Sequence, residues 1–435
     1  MPRRVLGIFA AAAVALGAGA GLAADAVVLY DHADDPILKL GRVVYPGGKT
    51  LELSVGIGSA AFRRAGDPAD IVYTLSDRGP NFTCGDVPAI AGVPAESLCK
   101  GVKGRLYPVP AYTPSIYGLR LKADGTFQVF DAITIKDKDG NPIDGLLNPL
   151  TVAKTEVPLD GFGNKLPYSA NAIDAEGLVR LADGSWWIGE ENGPSIVHVA
   201  ADGRIQERIV PAGSEKDFAG ANYKITGGLP AILSKRQTNR GIESMAVSPD
   251  EVFLYFMVQN PLANPDAKAY AQARNTRLFK YDRRAGRVVG EYVYELDDPQ
   301  SFRLDPSKKQ SDPRISEVMA LGLDRLLVLE RTEKTTKLHE VTLAGATNIL
   351  AGKWDDAATA PSLEQTSAAA AGIAPVAKVL RFDSADHPEV PTKLEGLALL
   401  PDGALFMIND DDFGITGEKT RVVILSGDSL KTAGR

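Results

Sequence analysis

Two segments of fifteen residues align without a gap although more than two hundred positions separate them. One runs from Glu176 to Glu190 and the other from Glu395 to Asn409. Each begins with an acid, continues as an apolar strand, turns at Asp-Gly and returns as a second apolar strand. Asp-Gly between two apolar runs is a strong short-range signal for a β-hairpin. The two segments therefore predict the same hairpin at two places in the chain.

Further copies indicate that this hairpin repeats along the chain. Looser copies begin at Glu243 and Glu317, and residues 71–79 match only the second strand. The four leading acids lie 67, 74 and 78 residues apart. Other short alternating strands fall between the acids, at 276–281, 288–294 and 337–342. Four short strands in a repeat that cannot bury its own faces are typical of a β-propeller blade.

We therefore expect an all-β fold, a single β-propeller of about six blades, with seven possible. A mature chain of about 411 residues at a mean spacing of about 73 holds between five and six repeats. A tandem of β-sandwiches is the structural alternative, but it does not explain the regular spacing of the acids. Long insertions at 79–115, 136–172 and 355–375 are expected on one face, where they would line a binding site.

Composition agrees with one exported globular domain. The 435 residues are 44% hydrophobic and 24% charged, and 43 Gly and 28 Pro supply many turns. The net charge of −7 arises from intermixed acids and bases. A nucleic-acid surface needs a basic face, so we expect no nucleic-acid partner.

The first residues have the pattern of a secretory signal peptide. A basic pair, Arg3 and Arg4, precedes an apolar run that ends in small residues before Asp25. We assign residues 1–24 to the signal peptide and residues 25–435 to the propeller domain, and we expect a periplasmic or secreted protein. A membrane anchor is the alternative, but the run is short and rich in Ala and Gly. The export route stays open.

Cys84 and Cys99 are the only two cysteines of the chain. An exported protein with two nearby cysteines usually oxidises them, so we predict a disulfide. It would close a loop of about 16 residues and stabilise the fold by about 3 kcal/mol in the chain-entropy model. A metal-binding or nucleophilic thiol is the alternative, but neither cysteine has a nearby His in the sequence.

The leading acids of the repeats predict a metal site. The first strand of a blade lines the propeller axis, so an acid at its start would project toward the channel mouth. Four glutamates would then converge: Glu176, Glu243, Glu317 and Glu395. Converging carboxylates repel one another unless a cation lies among them, and hard oxygen ligands favour Ca²⁺ over Mg²⁺ or Mn²⁺. The alternative is that each Glu ties its strand to the backbone of a neighbouring blade.

The ends of the second strands predict further polar groups around the same mouth. Arg78, Arg240 and Arg331 are candidates for binding an anion, since a guanidinium can grip a phosphate or carboxylate with two bonds. Asn81 and Asn260 are added as substrate-binding candidates. Alternatively, each arginine neutralises a neighbouring Glu. The remaining strand-end acids are Asp410 and Asp412, as candidate metal ligands, and Glu190 and Glu330, as candidate general bases.

Other catalytic patterns are missing from the sequence. It contains no Gly-x-Ser-x-Gly elbow, no P-loop and no Cys-x-x-Cys, and its four histidines do not pair at metal spacing. Residues 137–144 resemble a calcium loop but lack the Gly at the sixth position and the final Glu, which favours a surface hairpin. If the protein is an enzyme, its chemistry is expected to run through a metal and water.

Six short motifs occur in order along the chain. They are Ser76-Asp-Arg-Gly, Asp174-Ala-Glu-Gly-Leu, Glu190-Glu-Asn, Arg240-Gly-Ile-Glu-Ser, Leu394-Glu-Gly-Leu and Asn409-Asp-Asp-Asp-Phe-Gly. Together they resemble the phytase-like propeller family, often labelled "esterase-like activity of phytase", from about residue 40 to 425. The resemblance implies an exported propeller and suggests calcium-assisted hydrolysis of phosphoesters.

The sequence thus predicts a metal-dependent hydrolase that acts on a phosphoester or related ester. Its catalytic candidates are Glu176, Glu190, Glu243, Glu330 and Glu395. The expected partner is a small anionic or phosphorylated substrate, and we expect a monomer. Two other functions remain open: a non-catalytic binding propeller that uses the same ring, and a calcium-dependent hydrolase of lactones.

Overall fold

A computed structural model describes residues 26–32, 35–151 and 155–426 of the protein. The expected signal peptide, residues 1–24, lies outside the described residues. In the described part of the chain, the helices are all too short or too polar to cross a bilayer.

Five four-stranded antiparallel blades make up most of the described chain. Blade 1 comprises Ala60–Phe62, Ile71–Leu75, Ser115–Leu121 and Thr126–Thr134; blade 2 comprises Ala175–Arg180, Trp186–Glu190, Ser195–Val199 and Ile205–Pro211; blade 3 comprises Ile242–Val247, Phe253–Val258, Asn275–Asp282 and Arg287–Glu295; blade 4 comprises Arg314–Gly322, Arg325–Arg331, Thr336–Thr342 and Ala377–Asp383; blade 5 comprises Leu394–Leu399, Leu405–Asn409, Arg421–Ser426 and Ala26–His32. The strands predicted at 276–281, 288–294 and 337–342 are confirmed within one residue at each end.

The innermost strands contact one another in blade order, and the innermost strand of blade 5 contacts that of blade 1. The ring is therefore closed. Blade 5 takes its outermost strand from the start of the chain, since Ala26–His32 pairs antiparallel with Arg421–Ser426. The predicted all-β propeller is confirmed.

The described chain forms five blades rather than the expected six or so. The spacing estimate assumed that nearly every residue belongs to a blade. Instead, long insertions form their own elements: a hairpin of Lys39–Val44 and Thr50–Ser54, and a three-stranded sheet of Phe82–Thr83, Gly104–Tyr107 and Val157–Asp160. Lys224–Leu229 extends blade 2 as a fifth strand.

Helical segments are short and lie in the connections. The α-helices are Val87–Ile90, Ala95–Cys99 and Ala267–Gln272. The 3₁₀ turns are Pro36–Leu38, Glu215–Phe218, Ala231–Lys235, Pro299–Ser301, Lys353–Asp355, Leu363–Gln365, Ser384–Asp386 and Asp412–Gly414.

A separate apolar core fills the space between each pair of neighbouring blades. Leu75 and Ile116 of blade 1, for example, pack against Leu178 and Ile188 of blade 2. Four further cores join blades 2 and 3, 3 and 4, 4 and 5, and 5 and 1. Each blade is covered on both faces by its two neighbours. Its strands are therefore rich in apolar residues, which is the pattern from which the propeller was predicted.

A β-bulge interrupts the innermost strand of blades 2 to 5 near its start. The register shifts lie between Ala175 and Leu178, between Ile242 and Ser244, between Ile315 and Glu317, and between Leu394 and Gly396. A bulge leaves one residue outside the regular pairing and turns its side chain in a new direction. The same distortion therefore recurs at the same end of four blades.

Gly177 allows two innermost strands to approach closely. A Cβ at this position would lie 2.7 Å from the backbone N of Met245 in blade 3. We expect Gly177→Ala to lower the free energy of unfolding by about 2 kcal/mol, since the backbone must shift to relieve the contact. Urea denaturation measures this change. Gly322→Ala is the matched control, because a Cβ there meets nothing within 4 Å; equal losses in both variants would contradict the packing argument.

Candidate functional site

A cavity of about 460 Å³ opens at the end of the channel where the bulges lie. All five blades contribute to it, and the insertion after blade 1's second strand forms part of its wall. The charged residues of its lining are Asp77, Arg78, Asp86, Arg105, Asp174, Glu176, Glu191, Arg240, Glu243, Arg314, Arg331, Glu333, Lys393, Glu395, Asp410 and Asp412. The lining is therefore dense in charge of both signs.

The bulges direct acids into this cavity. Glu243 and Glu395 are the residues that the register shifts leave unpaired, and Glu176 lies within the bulge of blade 2. All three line the cavity. Three of the four glutamates that the repeat singled out therefore lie where the sequence predicted.

Glu317 does not line the cavity, which corrects its assignment as a metal ligand. In blade 4 the bulge leaves Ser316 unpaired, so Ser316 takes the place of Glu243 and Glu395. A displacement by one residue sends a side chain to the opposite face of a strand. Glu317 instead accepts hydrogen bonds inside the ring from the backbone N–H groups of Val318, at 2.9 Å, and Ala61, at 3.4 Å. The alternative for each Glu was a tie to the backbone of a neighbouring blade; Glu317 does bind backbone, but that of its own strand and of blade 1 across the ring.

A second set of side chains enters the cavity where the second strands end. It consists of Glu191, Gln259, Arg331 and Asp410, one from each of blades 2 to 5. Each follows a residue that pairs with the start of the innermost strand, namely Glu190, Val258, Glu330 and Asn409. Neighbouring residues on a strand face opposite sides, so the paired residue points away from the cavity and the next one points into it.

Glu190 and Glu330 therefore lie outside the cavity, and the structure does not support them as general bases. Glu190 is fully buried, and its Oε2 lies 2.9 Å from Nη2 of Arg208. Glu330 is also fully buried; it accepts hydrogen bonds from Tyr294 Oη at 2.7 Å and Lys378 Nζ at 3.1 Å. Glu190 serves the packing of its own blade, whereas Glu330 joins blade 4 to Tyr294 of blade 3.

Asn260, predicted to bind substrate, also lies outside the cavity, so this prediction is wrong. It is buried, its side-chain amide donates to the carbonyl of Pro313 at 2.8 Å, and it does not line the cavity. Asn81 does line the cavity; there its amide donates to the carbonyl of Gly79 at 2.8 Å, and its Oδ1 accepts from Arg105. Gln259, the residue before Asn260, faces the cavity in its place.

The three predicted arginines line the cavity, and each pairs with an acid. Arg78 contacts Asp174 and lies 3.6 Å from Glu191. Arg331 contacts Glu395 and donates to Ser316 Oγ at 2.9 Å. The looser pair is Arg240, 3.6 Å from Glu191 and 29% exposed. Neutralisation of neighbouring acids, the alternative for these arginines, is what the structure shows.

Five acids form one group on the side of blades 1 to 3, which we call the carboxylate cluster. Its members are Asp77, Asp174, Glu176, Glu191 and Glu243. One oxygen each from Asp77, Asp174 and Glu176 lies within 4.8 Å of the others, and the same is true of Glu176, Glu191 and Glu243. Glu176 thus belongs to both sets.

The carboxylate cluster has the donors that a hard divalent cation requires. Oδ1 of Asp174, Oε1 of Glu191 and Oε2 of Glu243 are buried and have no hydrogen-bond partner among the described residues. Buried polar atoms are nearly always satisfied, so these oxygens leave room for a cation or a proton. Carboxylate oxygens are the ligands preferred by Ca²⁺ and Mg²⁺. The residues present therefore fit a cation.

Without a cation the carboxylate cluster holds protons at neutral pH. Burial and the nearby Glu191 raise the pKa of Glu243 to about 8. Burial and the nearby Asp410 raise the pKa of Asp77 to about 8. Burial and Glu243 raise the pKa of Glu176 well above its usual value. Desolvation and repulsion between like charges both disfavour the ionised forms.

These shifts predict how the stability of the protein depends on pH. A carboxyl whose pKa is raised by folding contributes stability that is complete below its unfolded pKa and is lost as pH rises through the folded value. For Glu243 and Asp77 the folded value is about 8, so the chelator-treated protein should lose stability up to that pH. Added Ca²⁺ should oppose this loss, so its effect on the melting temperature should be larger at pH 8.5 than at pH 5.5. A larger effect at pH 5.5 would contradict this assignment.

The other side of the cavity, formed by blades 4 and 5, mixes both signs. Lys393 contacts Asp412 and lies 3.4 Å from Asp410. Arg314 contacts Glu333. Asp410 and Asp412, predicted as metal ligands, are thus held by a lysine of blade 5, and Asp410 also acts on Asp77 of the carboxylate cluster. The cavity has an acidic side and a side of paired charges.

Sequence reasoning missed three members of the carboxylate cluster. Asp174 stands two residues before Glu176, at a position outside the aligned repeat. Asp77 belongs to blade 1, whose innermost strand, Ala60–Phe62, has no acid. Glu191 directly follows Glu190, and the aligned repeat ends at Glu190, so Glu190 was the residue predicted. The sequence signal for these acids is their place in the motifs Ser76-Asp-Arg-Gly, Asp174-Ala-Glu-Gly-Leu and Glu190-Glu-Asn.

The predicted disulfide between Cys84 and Cys99 is confirmed. It lies in the insertion that supplies Asn81 and Arg105 to the cavity wall. The bond therefore holds together a segment that borders the site.

The segment 137–144 forms a surface turn rather than a calcium loop. Lys136 bridges to Pro142, and the Asp137 carboxylate accepts hydrogen bonds from the backbone N–H groups of Asp139 and Asn141, each at 2.9 Å. The side-chain amide of Asn222 donates to Asp137 at 2.8 Å. The surface hairpin favoured from the sequence agrees with these contacts.

Comparison with known proteins identifies relatives at several distances. An uncharacterized secreted protein of Arthroderma benhamiae is 25% identical over 320 residues, which cover 66% of this chain and 60% of that protein. The match thus spans less than two thirds of the relative's length.

Among solved structures, luciferin-regenerating enzyme is 11% identical, with a TM-score of 0.33 over 92% of this chain and 96% of that one. The calcium-binding protein regucalcin of Agrobacterium tumefaciens is 12% identical, with a TM-score of 0.32 over 89% and 97%. These similarities are too low to bear on function.

The sequence profile described as "Phytase-like: Esterase-like activity of phytase" matches residues 104–413. That range contains blades 2, 3 and 4 and the bulge acids Glu176, Glu243 and Glu395. It covers well over half of the chain and contains four of the six motifs in full, while Ser76-Asp-Arg-Gly lies before it. The chain therefore belongs to the phytase-like, esterase-like-activity-of-phytase family.

Proposed function

We propose that the protein is an exported hydrolase that cleaves a phosphoester or related ester in the cavity at the channel mouth, assisted by a divalent cation. The carboxylate cluster carries this proposal, since five acids from three blades meet there with several oxygens left unbonded. Membership of the phytase-like family supports it. The cation we propose is Ca²⁺, because it takes many carboxylate oxygens, whereas Mg²⁺ usually binds one or two carboxylates and keeps several waters.

Glu176 and Glu243 would hold the cation, with Asp77, Asp174 and Glu191 around them. When bound, such a cation lowers the pKa of a water molecule and polarises the ester. Arg78 keeps Asp174 and Glu191 in place by pairing with both. The guanidinium thereby offsets part of the repulsion within the cluster before any cation arrives.

Arg240 is the guanidinium best placed to hold an anionic group of the substrate. It is 29% exposed and its contact with Glu191 is long, at 3.6 Å, whereas Arg331 is only 3% exposed and is engaged by Glu395. A partly free guanidinium can exchange a weak partner for a phosphate or carboxylate. A single available guanidinium, that of Arg240, favours a substrate with a single anionic centre.

Asp412 is the carboxyl group we propose as general base in place of Glu190 and Glu330. Its side chain is 44% exposed and so is open to the cavity, while partial desolvation at the cavity wall and the neighbouring Asp410 raise its pKa to about 6. At neutral pH it is therefore mostly ionised and able to take a proton from water. Lys393 contacts Asp412 and orients it.

The proposed partner is a small anionic substrate, and the proposed state is a monomer without nucleic-acid partners. The relative in Arthroderma benhamiae is described as secreted, and the disulfide agrees with an oxidising compartment. We propose a periplasmic or secreted location on these grounds.

The test is hydrolysis of a panel of phosphoesters and carboxylic esters with CaCl₂ and with chelator. We expect turnover that chelator removes and that Glu243→Gln lowers at least tenfold. Glu389→Gln is the control, since Glu389 is 42% exposed and outside the cavity. Cation binding without turnover of any ester would contradict the hydrolase and would favour a binding propeller.

A further inference from the structure

A second cavity, of about 600 Å³, opens at the other end of the propeller channel. It lies between the far ends of the innermost strands of blades 1, 3, 4 and 5, with Arg180 added from blade 2. Its apolar lining includes Phe62, Met245, Val247, Met319, Leu397 and Leu399. We call it the apolar cavity.

The apolar cavity is distinct from the charged one. No described residue lines both. Glu317 is buried inside the ring, where its carboxylate accepts from the backbone N–H groups of Ala61 and Val318.

Guanidinium groups cluster at one edge of the apolar cavity. Among the described residues of its lining, the three arginines Arg63, Arg64 and Arg180 face two acids, Asp67 and Glu251. Arg64 pairs with Glu251 at 2.9 Å, and Arg180 lies 3.5 Å from Asp67. The edge therefore carries excess positive charge beside an apolar surface.

Arg180 is held in position without having its hydrogen bonds satisfied. Its guanidinium lies 4.8 Å from the ring centre of Tyr73 and 5.3 Å from that of Trp186. Its Nε is buried and has no hydrogen-bond partner in the described part of the chain. Aromatic stacking fixes the orientation of the group, and a buried donor without an acceptor favours an anion that would supply one.

We propose that the apolar cavity binds a free, single-chain aliphatic carboxylate, with its carboxylate at Arg180 and its chain against Met245, Met319 and Leu399. Charge complementarity at the edge and the apolar lining select this class over neutral or cationic amphiphiles. The volume lies within the range of small-molecule sites. Each added methylene should strengthen binding roughly fourfold until the cavity is full.

Isothermal titration calorimetry in chelator tests this proposal with octanoate, decanoate and dodecanoate below their micellar concentrations. We expect saturable one-to-one binding of dodecanoate, with affinity rising roughly fifteenfold for each two-carbon step. Dodecylamine should not compete. Absence of saturable binding, or equal binding of the amine, would overturn the proposal. A separate assay measures sedimentation of the protein with phosphatidylglycerol vesicles. A protein that sediments with the vesicles but does not bind dodecanoate would also overturn the proposal.

Two variants and a control locate the site. Arg180→Gln should weaken dodecanoate binding at least tenfold, and so should Leu399→Asp, which alters an exposed side chain at the strand end. Arg284→Gln, an exposed arginine outside the cavity, should bind as the parent protein does. If neither cavity variant weakens binding, the proposal fails. Since the measurement uses chelator and no ester, its outcome is independent of the proposed hydrolase activity.

Discussion

Glu176→Gln is expected to abolish the stabilisation that Ca²⁺ confers and to stop cation-dependent hydrolysis. Glu176 belongs to both sets of clustered carboxylates, and glutamine keeps its size while removing its charge. Loss of a residue that merely supports a metal ligand weakens binding by about 10–100-fold, so loss of this one should reach or exceed the upper value. The measurements are the Ca²⁺-induced change in melting temperature and the rate of ester hydrolysis.

The matched control for this variant is Glu190→Gln. Glu190 is also buried but points to Arg208 on the other side of its strand. This variant should unfold at a lower temperature and still respond to Ca²⁺. If Glu176→Gln retains the full response to Ca²⁺, the carboxylate cluster is not the cation site.

Arg208→Met is expected to lower the free energy of unfolding by about 3–5 kcal/mol, the cost of leaving a buried carboxylate without its partner. Arg208 is fully buried, and besides Glu190 it donates to Ser195 Oγ at 2.8 Å and to the carbonyls of Ala172 and Gly193 at 2.8 and 3.0 Å. From the fourth strand of blade 2, Arg208 thus contacts the second and third strands and the connection that precedes the first strand. Chemical denaturation in urea measures the change.

Arg120→Met provides the comparison for this loss. Arg120 pairs with Asp70 at 3.4 Å, but both side chains are about half exposed. Exposed pairs contribute about 0–1 kcal/mol, so this variant should unfold almost as the parent protein does. A small effect in both variants would show that the buried network of Arg208 is not a stabilising element.

The hairpin repeat carried most of the information about the fold. Acid, apolar strand, Asp-Gly and apolar strand define the two inner strands of a blade, and the structure has this hairpin at Glu176 and at Glu395. The number of blades was less accessible, because insertions such as 343–376 lengthen a repeat without adding strands to the ring. The spacing between repeats does not show whether the residues between them form strands of a blade or a loop.

The composition of the site was accessible only in part, because it depends on register. Aligned by sequence, Glu317 is the counterpart of Glu243, but the bulge of blade 4 makes Ser316 its counterpart in space. The same alternation separates Glu190 from Glu191. A single residue of register decides which side chain enters the cavity, and neither bulges nor strand ends are visible to that accuracy in one sequence.

A crystal structure of the protein grown with CaCl₂, with a second crystal in MnCl₂ for anomalous scattering, tests the central claim most directly. We predict a cation bound by oxygens of Glu176 and Glu243, at the 2.3–2.6 Å typical of Ca²⁺. An empty carboxylate cluster in crystals that bind the ion elsewhere, for example beside Asp297, Glu330 and His339, would contradict the claim.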